Sequence, residues 1–120
     1  MFKKFALTIS MGTLLAVLGS STVMAGAVSG PQISRTSVLA HAADRYNTIY
    51  FRGGETAYVE ANGDGSTTLH MTVWDANGNL INDISGYSPW IRWTPKWTGA
   101  FTIRVQNEGG VSNDYVLRTN

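Results

Sequence analysis

The chain's oxygen-rich stretch WDANGNL places Asp75, Asn77 and Asn79 at alternate positions, the spacing of the first three ligands of an EF-hand loop. The pattern then stops. Leu80 stands where that loop needs glycine, and Gly86 stands where it needs a closing glutamate. The stretch reads instead as a hairpin turn built on Asn77-Gly78. A second carboxylate, Asp64, lies in the glycine-rich turn NGDGS. His41 and His70 are the two histidines. Asp75 follows His70 by five residues, a spacing that sends the two side chains to opposite faces of a strand. No G-x-S-x-G elbow, H-E-x-x-H pair or Walker loop occurs. A nucleophile, a base and an orienting group cannot be assembled, so the chain is expected to be non-enzymatic.

The aromatic residues offer a different chemistry. SPWIRWTPKWTG, residues 88–99, carries Trp90, Trp93 and Trp97, three of the four tryptophans. Trp93 shares strand parity with Ile91 and should point inward with it. Trp97, in the turn before Gly99, is expected to pack over the end of the domain. Trp90 has the opposite parity and shares its face with Arg92. Trp74 also faces outward, beside Thr72 and His70. Together with Tyr58 and Tyr87, these side chains form the candidate ligand-binding set Trp74, Trp90, Tyr58, Tyr87 and Arg92. Clustered exposed aromatics of this kind can stack on sugar rings.

The elements that would hold them are short strands. Asn47 to Phe51 is rich in β-formers. Thr56 to Glu60 alternates, with Ala57 and Val59 on one face. Thr68 to Trp74 turns Leu69, Met71 and Val73 inward. Leu80 to Ile84 returns from the Asn-Gly turn, and a further strand runs through Trp93. Ala100 to Gln106 buries Phe101, Ile103 and Val105, and Tyr115 to Arg118 closes the chain. Asn107 and Asn113 flank a Glu108-Gly109-Gly110 turn and read as structural. Seven or eight strands at roughly ten-residue spacing predict an all-β fold, an antiparallel sandwich or barrel.

Residues 1–27 read as a secretory signal peptide: Lys3 and Lys4, an apolar run, then Ala25-Gly26-Ala27 as a small-residue cleavage site. Cleavage after Ala25 or Ala27 would leave a secreted or periplasmic product with no membrane span. Removing Lys3 and Lys4 leaves seven basic residues against eight acidic ones, a formal charge of −1. Such a balance disfavours nucleic acid, whose binding needs clustered Lys and Arg. There are no cysteines, so the domain must hold by its core alone. Residues 28–45 lack an apolar face and are expected to be a linker, with Ser37 as an N-cap for at most a short helical turn.

Two segments, FRGGETAYVEANGDGSTTLHMTVWDANGNLI and WTPKWTGAFTIRVQNEGGVSNDYVLRTN, resemble the bacterial pre-peptidase C-terminal (PPC) domain over about residues 46–120. The likeness lies in an F-x-G-G-like entry, a GDGD-T-DLDLYVYD-x-NGN-like block, a W-x-P-x-x-x-G turn, a T-I-x-V-x-N strand and an N-x-Y-x-L exit, in that order. It implies a jelly-roll sandwich without catalytic activity, an accessory module of exported enzymes, of which some relatives bind calcium or polymers. Ser66, Thr68 and His70 stand where the family's acidic residues would be, leaving Asp64 and Asp75 as the candidate metal ligands. The expected function is a secreted, non-catalytic binding or accessory module that contacts polysaccharide or another extracellular polymer or protein. Otherwise it would be a processing or folding partner of a separate exported protease or hydrolase.

Overall fold

The computed structural model describes residues 26–120, so nearly all of the expected leader lies outside them. Eight strands follow one another: β1 (Gln32–Val38), β2 (Ala43–Phe51), β3 (Ala57–Asn62), β4 (Leu69–Trp74), β5 (Leu80–Gly86), β6 (Trp90–Trp93), β7 (Gly99–Asn107) and β8 (Asn113–Thr119). They form two antiparallel four-stranded sheets, ordered β1-β8-β3-β6 and β2-β7-β4-β5. The sheets pack face to face as a β-sandwich, which is the expected fold class. Alternation dictates the core. Val59, Ile91 and Leu117 of the first sheet meet Leu69, Met71, Val73, Ile103 and Val105 of the second, all buried.

Residues 28–45 are not a linker. Gln32–Val38 is an edge strand paired along its whole length with β8, and Ala43 already belongs to β2. Ser37 caps no helix; it lies in β1 and donates to the Asp114 carboxylate. The apolar signal is weak here because β1 lies at a sheet margin, where Val38 is its one buried residue. The domain reaches further still toward the N-terminus. Ala27 is buried, bridges to Phe51, and donates its N–H to the Asn120 carbonyl. The Gly26 carbonyl accepts the Arg52 N–H at 2.7 Å.

In β2 the alternation is interrupted. The register against β7 shifts between Tyr46 and Ile49, where Asn47 and Thr48 oppose the single residue Thr102. Thr48 takes φ = 59°, a left-handed conformation costly for a β-branched residue. Before the bulge, Asp44 and Tyr46 reach the other sheet; after it, Phe51 joins the core.

A network of hydroxyls and a carboxylate crosses between the sheets. The Tyr115 hydroxyl donates to Asp44 Oδ2 at 2.6 Å and lies 2.6 Å from the Tyr46 hydroxyl, which must therefore donate to it. Burial pushes the Tyr115 phenol well above its ordinary range, and its bonds to Asp44 and Tyr46 push it further. Tyr46 is raised chiefly by burial as well. Tyr115→Phe leaves both Asp44 and Tyr46 short of a partner, so urea denaturation should show a loss of about 1–3 kcal/mol. An unchanged midpoint would show that the network does not hold the sheets together.

Candidate functional site

Three rings fill one end of the sandwich. Phe51 from β2, Trp93 from β6 and Phe101 from β7 meet edge to face, with centroids 5.0, 5.2 and 5.8 Å apart. Ile91 and Trp93 therefore point inward as their parity requires. Trp97 does not join them. It is 78% exposed, the most exposed large hydrophobic side chain among the described residues. The expectation that it packs over the end of the domain fails because Phe51, Trp93 and Phe101 already occupy that end.

The turn that displays Trp97 is held by backbone contacts. The Gly53 N–H donates to Thr98 Oγ1 at 2.9 Å, and the Gly54 N–H donates to the Pro95 carbonyl at 2.7 Å. A side chain at position 53 would lie 2.7 Å from the Trp97 Cα, so only glycine permits this approach. Beside the turn runs a groove of about 400 Å³, lined among others by Asp75, Asn77, Ile81, Trp93, Lys96 and Trp97. The Trp93 indole Nε1 is buried there without a hydrogen-bond partner, an uncommon condition for a buried donor. Among the described residues no ring or guanidinium stacks on Trp97, so its faces are open.

The predicted ligand-binding residues separate into two groups. Tyr58 and Trp90 stack on the outer face of the β1-β8-β3-β6 sheet, centroids 6.0 Å apart at 28°, and the Arg92 guanidinium lies 5.7 Å from the Trp90 ring centre. The rung of Trp90 also holds a Glu60–Arg118 ion pair at 3.7 Å. Tyr87 is 63% exposed in the loop before β6 and makes no ring contact with this pair. Trp74 belongs to β4 in the other sheet. Its outward face is the opposite side of the sandwich, so Trp74 and Trp90 do not form one platform. The guanidinium groups of Arg45 and Arg104 lie over its ring at 5.3 and 5.4 Å.

The two candidate metal ligands are also separated. Asp64 precedes β4 and Asp75 follows it, with the six-residue strand between them, about 20 Å of extended chain. One ion cannot bridge that span. Each carboxylate organises its own turn. Asp64 accepts from the Ser66 N–H and hydroxyl and from the Asp114 N–H. Asp75 accepts from the N–H groups of Asn77 and Asn79 and from the Asn79 side-chain amide. Among the described residues no three His, Cys, Asp or Glu side chains gather as a metal-binding group.

His70 is half-buried between two carboxylates, Asp83 at 3.4 Å and Glu108 at 3.8 Å, rather than paired with Asp75. Ser85 lies across from it in β5 without a hydrogen bond between the two. Asn107 and Asn113 are fully buried clamps. Asn107 donates to the carbonyls of Val38, Leu39 and Val111; Asn113 donates to Thr67 and accepts the Asp64 N–H. The structural role expected of both holds, though they join distant segments as well as local backbone.

Comparison with known proteins finds no matching family model and no similar curated protein.

Hydrogen bonds that favour the charged form hold both turn carboxylates below the ordinary value of 3.8: for Asp64 chiefly the Ser66 hydroxyl, for Asp75 chiefly the Asn79 N–H. A lowered folded pKa contributes stability that is present above the unfolded value and is lost as pH falls through the folded one. Thermal melting should therefore vary little from these two groups above about pH 5 and fall below about pH 4. Carboxyl NMR titration should place both midpoints under 3.8; midpoints at or above that value would overturn the assignment.

Proposed function

We propose that this chain is an exported, non-catalytic β-sandwich module, resembling the PPC domain, that binds polysaccharide at the Trp97 groove. The observation that carries the reading is Trp97 itself, 78% exposed on a turn pinned by Gly53 and Gly54. An exposed indole on fixed backbone loses little conformational freedom on binding, and its open faces suit the apolar face of a sugar ring. Asp75 and Asn77, Lys96 and the unpartnered Trp93 Nε1 add polar groups along the same groove. That mixture of an apolar floor with a few convergent polar groups is the usual composition of a small-ligand site. The Tyr58–Trp90 pair supports the reading less well, because each ring already covers a face of the other.

Trp97→Ala should weaken retention on the neutral polysaccharide that the wild-type domain binds by about tenfold or more, equivalent to about 1.4 kcal/mol. A panel of neutral glucans and chitin supplies the test, by affinity electrophoresis and pull-down. Melting temperature should not move, since the side chain is 78% exposed. Equal retention of variant and wild type would sink the groove as the contact surface.

Export fits the way the domain begins. Gly26 and Ala27 are part of the folded unit through the Arg52 and Asn120 backbone bonds. Of the two cleavage positions, the one after Ala25 preserves both residues. Intact-mass analysis of protein recovered outside the cytoplasm should show Gly26 as the first residue; Val28 as the first residue would contradict this placement.

A further inference from the structure

The outer face of the β2-β7-β4-β5 sheet carries a pair of like charges that the fold leaves without counter-ions. The register of β2 on β7 sets Arg45 directly opposite Arg104. Like charges at directly opposed positions destabilise a sheet. The register of β7 on β4 then sets Arg104 opposite Thr72. Both guanidinium groups lie over the Trp74 ring, at 5.3 and 5.4 Å from its centre. Among the described residues the carboxylates in charge contact are Asp83 and Glu108, both beside His70, and Glu60, beside Arg118, and neither arginine meets one. The acidic residue on the same rung, Asp83, lies across Thr72 in β5 and is turned to His70.

Two polar atoms in this row are buried and unsatisfied. Arg104 Nε has no acceptor, and neither does the hydroxyl of Thr72, whose residue is only 3% exposed although it belongs to the outward face. Donors without acceptors, two fixed positive charges and an indole that holds the guanidinium groups in place form one local constellation. The ligand chemistry that suits it is an acceptor-only oxyanion, because carboxylate or sulfate oxygens take paired bonds from a guanidinium fork.

We infer that the Arg45–Trp74–Arg104 face binds the oxyanions of an acidic polysaccharide through its two guanidinium groups. A polymer suits the site better than a free ion. Arg45 is exposed on an open sheet face, where one anion competes with water and salt, whereas linked anions add their contacts along the chain. This site lies apart from the Trp97 groove and does not depend on it.

Polygalacturonate, a uronic-acid polymer, is the probe. The wild-type protein should be retained on it at low ionic strength and released by half-molar sodium chloride. Arg45→Gln should weaken retention several-fold and Arg45→Gln/Arg104→Gln at least tenfold. Arg45 is exposed, so its single variant should fold normally; relief of the like-charge pair should leave its melting temperature equal to or above that of wild type. Millimolar inorganic sulfate should compete better than chloride of equal ionic strength. Trp97→Ala should keep its hold on polygalacturonate while losing the neutral polymer, which separates failure of this inference from failure of the groove. Absence of wild-type retention, retention unaffected by the arginine variants, or loss of polygalacturonate binding in Trp97→Ala would each overturn it.

Discussion

The contact on which the rest of the molecule depends is the edge-to-face packing of Phe51, Trp93 and Phe101 at one end of the sandwich. Without cysteines, the two sheets are joined by their facing side chains, by the Asp44–Tyr115–Tyr46 hydrogen bonds and by the Asn107 amide on the Val38 carbonyl. Large rings bury the most area per residue, and their quadrupoles add to the gain when edges meet faces. The three residues come from three strands, β2, β6 and β7, so their packing ties the ends of both sheets together. It also decides what the neighbouring turn can do. Once these rings occupy the end, Trp97 has no interior position left to fill. Gly53 and Gly54 then fix the backbone of its turn while the indole remains outside.

The four tryptophans thus have four environments. Trp93 is core. Trp90 is stacked on Tyr58, with Arg92 nearby. Trp74 lies beneath two guanidinium groups. Trp97 alone has neither a ring nor a cation against it among the described residues. Cation–π contacts at exposed sites are worth about 0.5–1 kcal/mol each. A sugar seeking the faces of Trp74 or Trp90 would have to displace contacts of that size, whereas Trp97 imposes no such cost. The exposed area of a ring is therefore a poorer guide to stacking than whether its faces are already taken.

Much of the sandwich can be read in the chain. The alternation in Leu69–Trp74 and in Phe101–Val105 survives because central strands bury one whole face. The first two strands are less legible for opposite reasons. In β1 the pattern is hardly present, since an edge strand at the margin buries only Val38. In β2 it is present but broken: the bulge at Asn47-Thr48 changes parity between Tyr46 and Ile49, so no single period describes the segment. Outward parity located Tyr58, Trp90 and Arg92 together correctly. It could not tell that Trp74, with the same local pattern, belongs to the other sheet, because sheet membership is a property of long-range pairing. The exposure of Trp97 was hidden for a related reason, since it depends on which rings reach the end of the sandwich first.

The Arg45–Arg104 pair shows how far such long-range pairing can go in making a site. The two residues are separated by most of the domain in sequence, and neither is unusual in its own segment. They become neighbours only because the bulge and the register of β2 on β7 place them on the same rung. A sheet tolerates that opposition when something negative lies between the charges, and the Trp74 quadrupole supplies a part of it. It cannot supply hydrogen-bond acceptors for Arg104 Nε or the Thr72 hydroxyl. The inward faces are committed to the core apart from the Thr119 hydroxyl, which is buried without a partner, so a group that is to meet a ligand must stand on an outward rung or an end turn. The Trp93–Trp97 groove and the Arg45–Arg104 rung, both of which leave polar capacity unspent, are of those two kinds, and they call for different ligands: one a ring face, the other an oxyanion.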